Sequence, residues 1–197
     1  GGGSGSQVYS TASSSAGPNR YYGGGMAYRN LSGTVNIFQG GGTRSWNGGP
    51  NFAYRVPTVI KHTAYGSVSN VYQVYSHRSD GDGGSGLMRD VAVDADGNIY
   101  AVGRNNFSGK GGEVGYVAKF NSSMALQWWR ILRWNGVNGS TELSRIEITP
   151  NGSMVIGGKL GAEAFCCQLP NDGSLTGTHG NFIYEDYSAA RNVSVNP

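Results

Sequence analysis

The stretch "DVAVDADGNIYAVG", residues 90–103, contains the acids best placed for chemistry. Asp94 and Asp96 stand two apart, followed by Gly97 and Asn98. Calcium loops use such spacing, because alternate oxygen-bearing side chains can surround the ion while glycine makes the sharp turn. Other candidates are sparser. His62, His77 and His179 lie far apart, with no Cys or His at ligand spacing beside them. Cys166 and Cys167 are adjacent, so on a strand they point to opposite faces. A disulfide between them would need strained geometry, and they are expected to be two small buried or half-buried residues. Glu185 and Asp186 are the nearest thing to a glycosidase acid pair. Asp80 and Asp82 fall in "SDGDGGSG" (79–86), which reads as a linker or long turn. Neither a G-x-S-x-G elbow nor a G-x-x-x-x-G-K-[ST] loop occurs. The expectation is no catalytic residue, no metal and no cofactor.

A second copy of the acidic stretch decides how to read it. "RDVAVDADGNIYAVG" (89–103) aligns with "SRIEITPNGSMVIGG" (144–158), placing Val91 on Ile146, Val93 on Ile148, Gly97 on Gly152 and Val102 on Gly157. The strand–turn–strand rhythm survives, but Asp94 and Asp96 become Thr149 and Asn151. A calcium loop could not lose its charged ligands in this way. Asp94 and Asp96 are therefore expected to be turn formers whose side chains bond nearby backbone amides, with Asp96 and Asn151 in equivalent structural turns with Gly97 and Gly152, the glycines taking positive φ. The repeat continues, "YVAKFNSSMAL" (116–126) matching "FCCQLPNDGSL" (165–175), with Phe120 on Leu169 and Leu126 on Leu175. Each unit is about 50–55 residues with four short strands, the period and strand number of a propeller blade. Such units must stack, since neither face of the sheet can be left bare.

Composition agrees with an all-β chain. Of 197 residues, 34 are glycine, which interrupts almost every window that could carry a helical apolar pattern. Only 14% of residues are charged and the net charge is +3, without a basic run, which argues against nucleic acid as a partner. No apolar stretch approaches the ~18 residues needed to span a bilayer, and no signal peptide is visible. The chain begins "GGGSGS" without methionine and is expected to be a fragment or processed product. Its first twenty or so residues are expected to lie extended along another surface or to be loose, ordered only by contact with other subunits. Strands are expected in "GTVNIFQG" (33–40), "NFAYRVPTVIKH" (51–62) and "SVSNVYQVYSH" (67–77), with Pro57 suiting an edge or bulge. Six N-x-S sequons, at Asn30, Asn106, Asn121, Asn138, Asn151 and Asn192, matter only if the source glycosylates.

The segments "DVAVDADGNIYAVG", "GYVAKFNSSMALQWWRIL" and "QLPNDGSLTGTHGNFIYEDYSAA" resemble the SBBP-type β-propeller repeats of large virion structural proteins of marine bacteriophages, notably those infecting cyanobacteria. The most specific match is Leu169, Pro170, Asp172 to Gly177, Gly180, Phe182 and Tyr184, similar to a segment that tends to close a propeller region in that family. The resemblance covers about residues 87–190; nothing in residues 1–86 contributes to it. The chain departs from the pattern in carrying two repeats rather than many, in Met124 where a turn glycine is usual, and in Trp128–Trp129 where one tryptophan and a polar residue are common. The resemblance implies a virion location, other virion proteins as partners, and homo-oligomerisation with three subunits as the expected number.

The expected fold is all-β: antiparallel sheets, with two propeller-blade-like repeats (87–180) preceded by a Gly-rich β or extended segment (1–86) and followed by a C-terminal extension (181–197). Two stacked blades alone would leave both outer faces uncovered, so the missing cover must come from residues 1–86, from a longer polypeptide or from other subunits. The aromatic residues are the remaining lead to a ligand. Trp129, Trp134, Tyr72 and Tyr75 are the candidates for contact with a partner or a host-surface glycan, although tryptophans between stacked sheets are ordinary packing. The expected function is that of a non-enzymatic virion component: a tail fibre, spike or capsid decoration for assembly, outward display or host attachment. An extracellular bacterial β-rich adhesin or filament subunit at the cell surface is the alternative.

Overall fold

The computed structural model describes residues 21–45, 54–62, 68–75, 86–106, 113–135, 140–186 and 191–195. Fourteen strands and no helix occur among them. β1 (Tyr21–Leu31), β2 (Thr34–Ser45), β3 (Tyr54–His62) and β4 (Val68–Tyr75) form an antiparallel sheet with β14 (Arg191–Val195) at its far edge, in the order β1-β2-β3-β4-β14. β5 (Leu87–Val93), β6 (Ile99–Asn106), β7 (Glu113–Phe120) and β8 (Leu126–Trp134) belong to a six-stranded sheet completed by β13 (Phe182–Asp186) and β12 (Gly177–His179). The third sheet contains β9 (Thr141–Ile148), β10 (Ser153–Leu160) and β11 (Glu163–Pro170).

The middle sheet is apolar on both faces, as its cover on both sides requires, and successive residues of a strand serve opposite faces. Along β6, Ile99 and Ala101 turn toward the first sheet, while Tyr100 and Val102 turn toward the third. Phe38, Val59 and Tyr72 of the first sheet meet Val114, Tyr116, Phe120 and Ile131 on one side. Leu143, Ile146, Met154, Ile156 and Leu169 of the third meet Val117, Leu132 and Tyr184 on the other. The first strands β1, β5 and β9 lie next to one another, so the three sheets are stacked in chain order. The cover for the repeats thus comes in part from strands β1 to β4, within one of the three sources expected. The glycine pair Gly24–Gly25 permits this approach: a Cβ on Gly24 would run into the Met88 carbonyl, and one on Gly25 into the Asp90 carboxyl.

The stack does not close into a propeller ring among the described residues, and two repeats alone are not expected to form one. Two expectations are corrected. The second repeat supplies three strands, not four, to its own sheet: after β11 the chain crosses to the middle sheet, where β13 pairs with β8 (Phe182 opposite Trp134, Tyr184 opposite Leu132). The crossing is fastened by Arg130, whose guanidinium donates to the Gly173 carbonyl at 2.7 Å, and by the Trp128 ring, against which Gly173 lies. Pro57 is also not on an edge strand. It sits in β3 opposite Gly42, just beyond Thr58, where the ladder to β4 ends and only β2 pairs with β3. The expectations for the first twenty residues and for 79–85 lie outside the described residues.

The repeat has a structural counterpart that the pattern of apolar residues did not show. β5 carries a bulge between Met88 and Asp90 opposite Gly103, and β9 and β10 shift register at Gly157/Gly158. Gly103 and Gly158 are equivalent in the alignment. A Cβ on Gly103 would collide with the Leu87 carbonyl oxygen, and one on Gly158 with that of Glu142.

Candidate functional site

The acidic turn is built by Asp94, not by Asp96. Asp94 Oδ1 accepts from the amides of Asp96 (3.0 Å) and Asn98 (2.8 Å), and Oδ2 accepts from Asn98 Nδ2 and the Tyr100 hydroxyl, both at 2.9 Å. The Gly97 amide donates to the Asp94 carbonyl, and Gly97 has φ 83°. The second copy repeats this with different chemistry. Thr149 Oγ1 accepts from the Ser153 amide at 3.0 Å and contacts Asn151 Oδ1, and Gly152 also has φ 83°. A third turn of the same build joins β7 to β8. Asn121 Oδ1 accepts from Ser123 and Ala125, and Met124 takes the left-handed position at φ 66°. Met124 is almost fully buried in the core between the first two sheets, and that packing offsets the strain of a non-glycine residue there.

Both oxygens of Asp94 accept from groups of the turn, so the carboxylate serves its own hairpin. Adding EDTA or Ca²⁺ is therefore expected to leave the melting temperature unchanged within error; a drop restored by Ca²⁺ would contradict this assignment. Partial burial pushes the Asp94 carboxyl up, but the hydrogen bonds from Asn98, Tyr100 and Asp96 outweigh it and hold it below the usual value. A lowered folded value means stabilisation that is present above the unfolded carboxyl pKa and lost as pH falls through the folded one. The stability gap between the parent and Asp94→Asn should therefore be full at neutral pH and shrink below about pH 4. Denaturant titrations at several pH values measure it.

The two turn glycines are not equivalent in space. Valine at Gly152 meets the strain of positive φ, with Asn171 no nearer than 3.4 Å, whereas valine at Gly97 also drives Cβ to 2.7 Å from Leu31 Cδ1. Gly152→Val should cost about 1–2 kcal/mol and Gly97→Val more, as read by chemical denaturation.

The polar groups outside the turns bind one layer to the next. Lys61 Nζ donates to the Ser122 carbonyl and Lys119 Nζ to that of Asn171, each at 3.3 Å, so lysines reach from one sheet to turns at the end of the next. At the other end, Glu142 on β9 pairs with Arg89 (2.6 Å) and Arg104 (3.7 Å), and Arg104 also pairs with Glu113. Asp90 is the deepest of these groups. It lies in the bulge of β5, and its Oδ2 accepts from the Ile146 amide on β9 at 3.1 Å. β9 is an edge strand, and this carboxylate satisfies an amide that would otherwise be buried without a partner. Sequence reasoning passed over Asp90. The available signal was an acid two residues before the core-facing Ala92, in phase with the buried face of its strand.

Glu185 and Asp186 point to opposite faces of β13. Glu185 pairs with Arg133 at 2.8 Å and Asp186 with Arg130 at 3.1 Å, so they cannot converge on one substrate bond. Trp129 and Tyr72 are corrected as contact residues. Trp129 is 3% exposed and stacks on Tyr116 at 4.5 Å; Tyr72 is 6% exposed and meets Phe120 edge-on. Both belong to the core because their strand faces are turned toward the neighbouring sheet. Trp134 is half-buried beside Phe182 at the start of β13. The side chain of Tyr75 lies outside the described residues. Of the cysteines, Cys166 is exposed and Cys167 half-buried, its thiol pushed up to about 12 by burial and by the neighbouring Cys166. Among the described residues no group of three or more His, Cys, Asp or Glu side chains is placed to hold a metal ion.

These features define an all-β protein of stacked antiparallel sheets whose repeated unit is a side-chain-capped hairpin. No protein-family model matches the chain, and no curated protein matches it.

Proposed function

We propose that the chain is a non-enzymatic structural component of a bacteriophage virion: a tail fibre, spike or capsid decoration that serves assembly and outward display or host attachment. Its partners are other virion proteins and further copies of itself, and a host-surface glycan is the ligand class for the displayed surface, with Trp134 the described candidate that retains exposure. The observation that supports this reading is the use made of the polar side chains. Asp90, Glu142, Lys61 and Lys119 all join one sheet to the next, as suits a structural subunit, and the turn acid Asp94 is consumed by its own hairpin. The phage assignment rests on the resemblance of residues 87–190 to virion propeller repeats.

Immunogold labelling of purified particles from the source, with mass spectrometry of the same particles, tests the proposal. Labelling at a defined place on the virion is expected. Label confined to the host envelope, with no peptide from the particles, would replace this reading with that of a bacterial adhesin or filament subunit.

A further inference from the structure

The third sheet ends where its repeat counterpart continues. β7 is paired on its far side by β8, but the equivalent β11 has no strand beyond it among the described residues, because the chain leaves for the middle sheet. Edge strands are usually blunted by charge, proline, a bulge or brevity; on β11 the one charge, Glu163, and the one proline, Pro170, stand at its two ends. β11 runs eight residues in unbroken register with β10 and carries no charged side chain from Ala164 to Leu169. Its outward residues Ala164, Cys166 and Gln168 are exposed, while inward-facing Phe165 and Cys167 are only half-buried. Those two continue the interface between the middle and third sheets, where they pack against its buried cluster.

We propose that β11 is a self-association edge, pairing antiparallel with β11 of a second copy about a two-fold axis through Cys166. A two-fold perpendicular to the sheet keeps inner faces inner, so opposed residues must share a face. Any axis centred on a residue meets this condition; centring on Cys166, within the uncharged run, puts Phe165 opposite Cys167 of the second copy, Ala164 opposite Gln168, and Cys166 opposite itself. The half-buried Phe165 and Cys167 then cover their symmetry mates, extending the existing interface across the axis. Glu163 falls opposite Leu169, so no like charges meet. The contact is separate from any three-fold grouping of the subunits and does not depend on the virion assignment.

The test uses a Cys167→Ser background, a short bismaleimide crosslinker at Cys166, and sedimentation of the untreated protein. A crosslinked dimer and a dimer mass are expected. Ala164→Lys with Gln168→Lys places lysine against lysine at two exposed pairs and should abolish both; Ala164→Glu with Gln168→Glu should do the same. Mixing the two variants should restore a crosslinked heterodimer, which also shows that each is folded. A parent that sediments as a monomer and does not crosslink overturns the proposal. So does a lysine variant that crosslinks like the parent, or a mixture that fails to recover the dimer.

Discussion

Gly103→Ala is expected to destabilise the protein by about 3 kcal/mol or more, although alanine is a small residue and the position lies within a regular strand. The cause is the bulge in β5. The extra residue pushes the Leu87 carbonyl over Gly103, where a Cβ has no room, and the obstacle is backbone rather than a movable side-chain end. For a chain of this length that loss is a fall in Tm of roughly 6–12 °C. Gly158→Ala should behave alike against the Glu142 carbonyl. The control is its neighbour: at Gly157 the nearest atom to an added Cβ, the Phe165 carbonyl oxygen, is 3.9 Å away, so Gly157→Ala should stay within about 0.5 kcal/mol of the parent. Equal effects at 157 and 158 would mean that the second bulge is misplaced.

Asp90→Ala should cost about 3 kcal/mol, because it removes a charged acceptor and leaves the Ile146 amide buried without one. The loss should be local as well as global. Amide exchange at Ile146 should accelerate beyond what the fall in overall stability accounts for, since the hydrogen bond that closes the edge of β9 is gone. Asp90→Asn retains a carbonyl oxygen able to accept and should lose less than half as much. Unchanged exchange at Ile146 in the alanine variant would show that Asp90 does not hold the two sheets together.

Much of this was legible in the chain. The strands of residues 87–170 and the first two aligned turns follow from alternation and turn glycines, because those signals are local: a residue's face and a glycine's φ depend on the nearest few neighbours. The equivalence of Gly97 with Gly152 was readable for that reason. The third turn was harder, since Met124 occupies a left-handed position normally marked by glycine, and only its burial in the core makes that tolerable. Trp129 could not be assigned from local pattern either. Alternation placed Trp128 and Trp129 on opposite faces, but whether a face meets solvent or another sheet depends on what is stacked upon it. Here strands β1 to β4, which share no recognised motif with the repeats, supply that covering sheet together with β14.

The sequence by itself determined that the chain would be built from antiparallel strands, where the repeated hairpins turn, and that their acids would act on the backbone of their own turns. Tertiary structure alone decided which strands share a sheet. The segment after β11 carries the same turn signals as the one after β7, yet it joins β8 instead of β11, and β14 returns to the edge of the first sheet. Backbone donors and acceptors are alike on every strand edge, so the choice of partner rests on side-chain contacts made across long sequence separations, such as Arg130 and Trp128 holding Gly173.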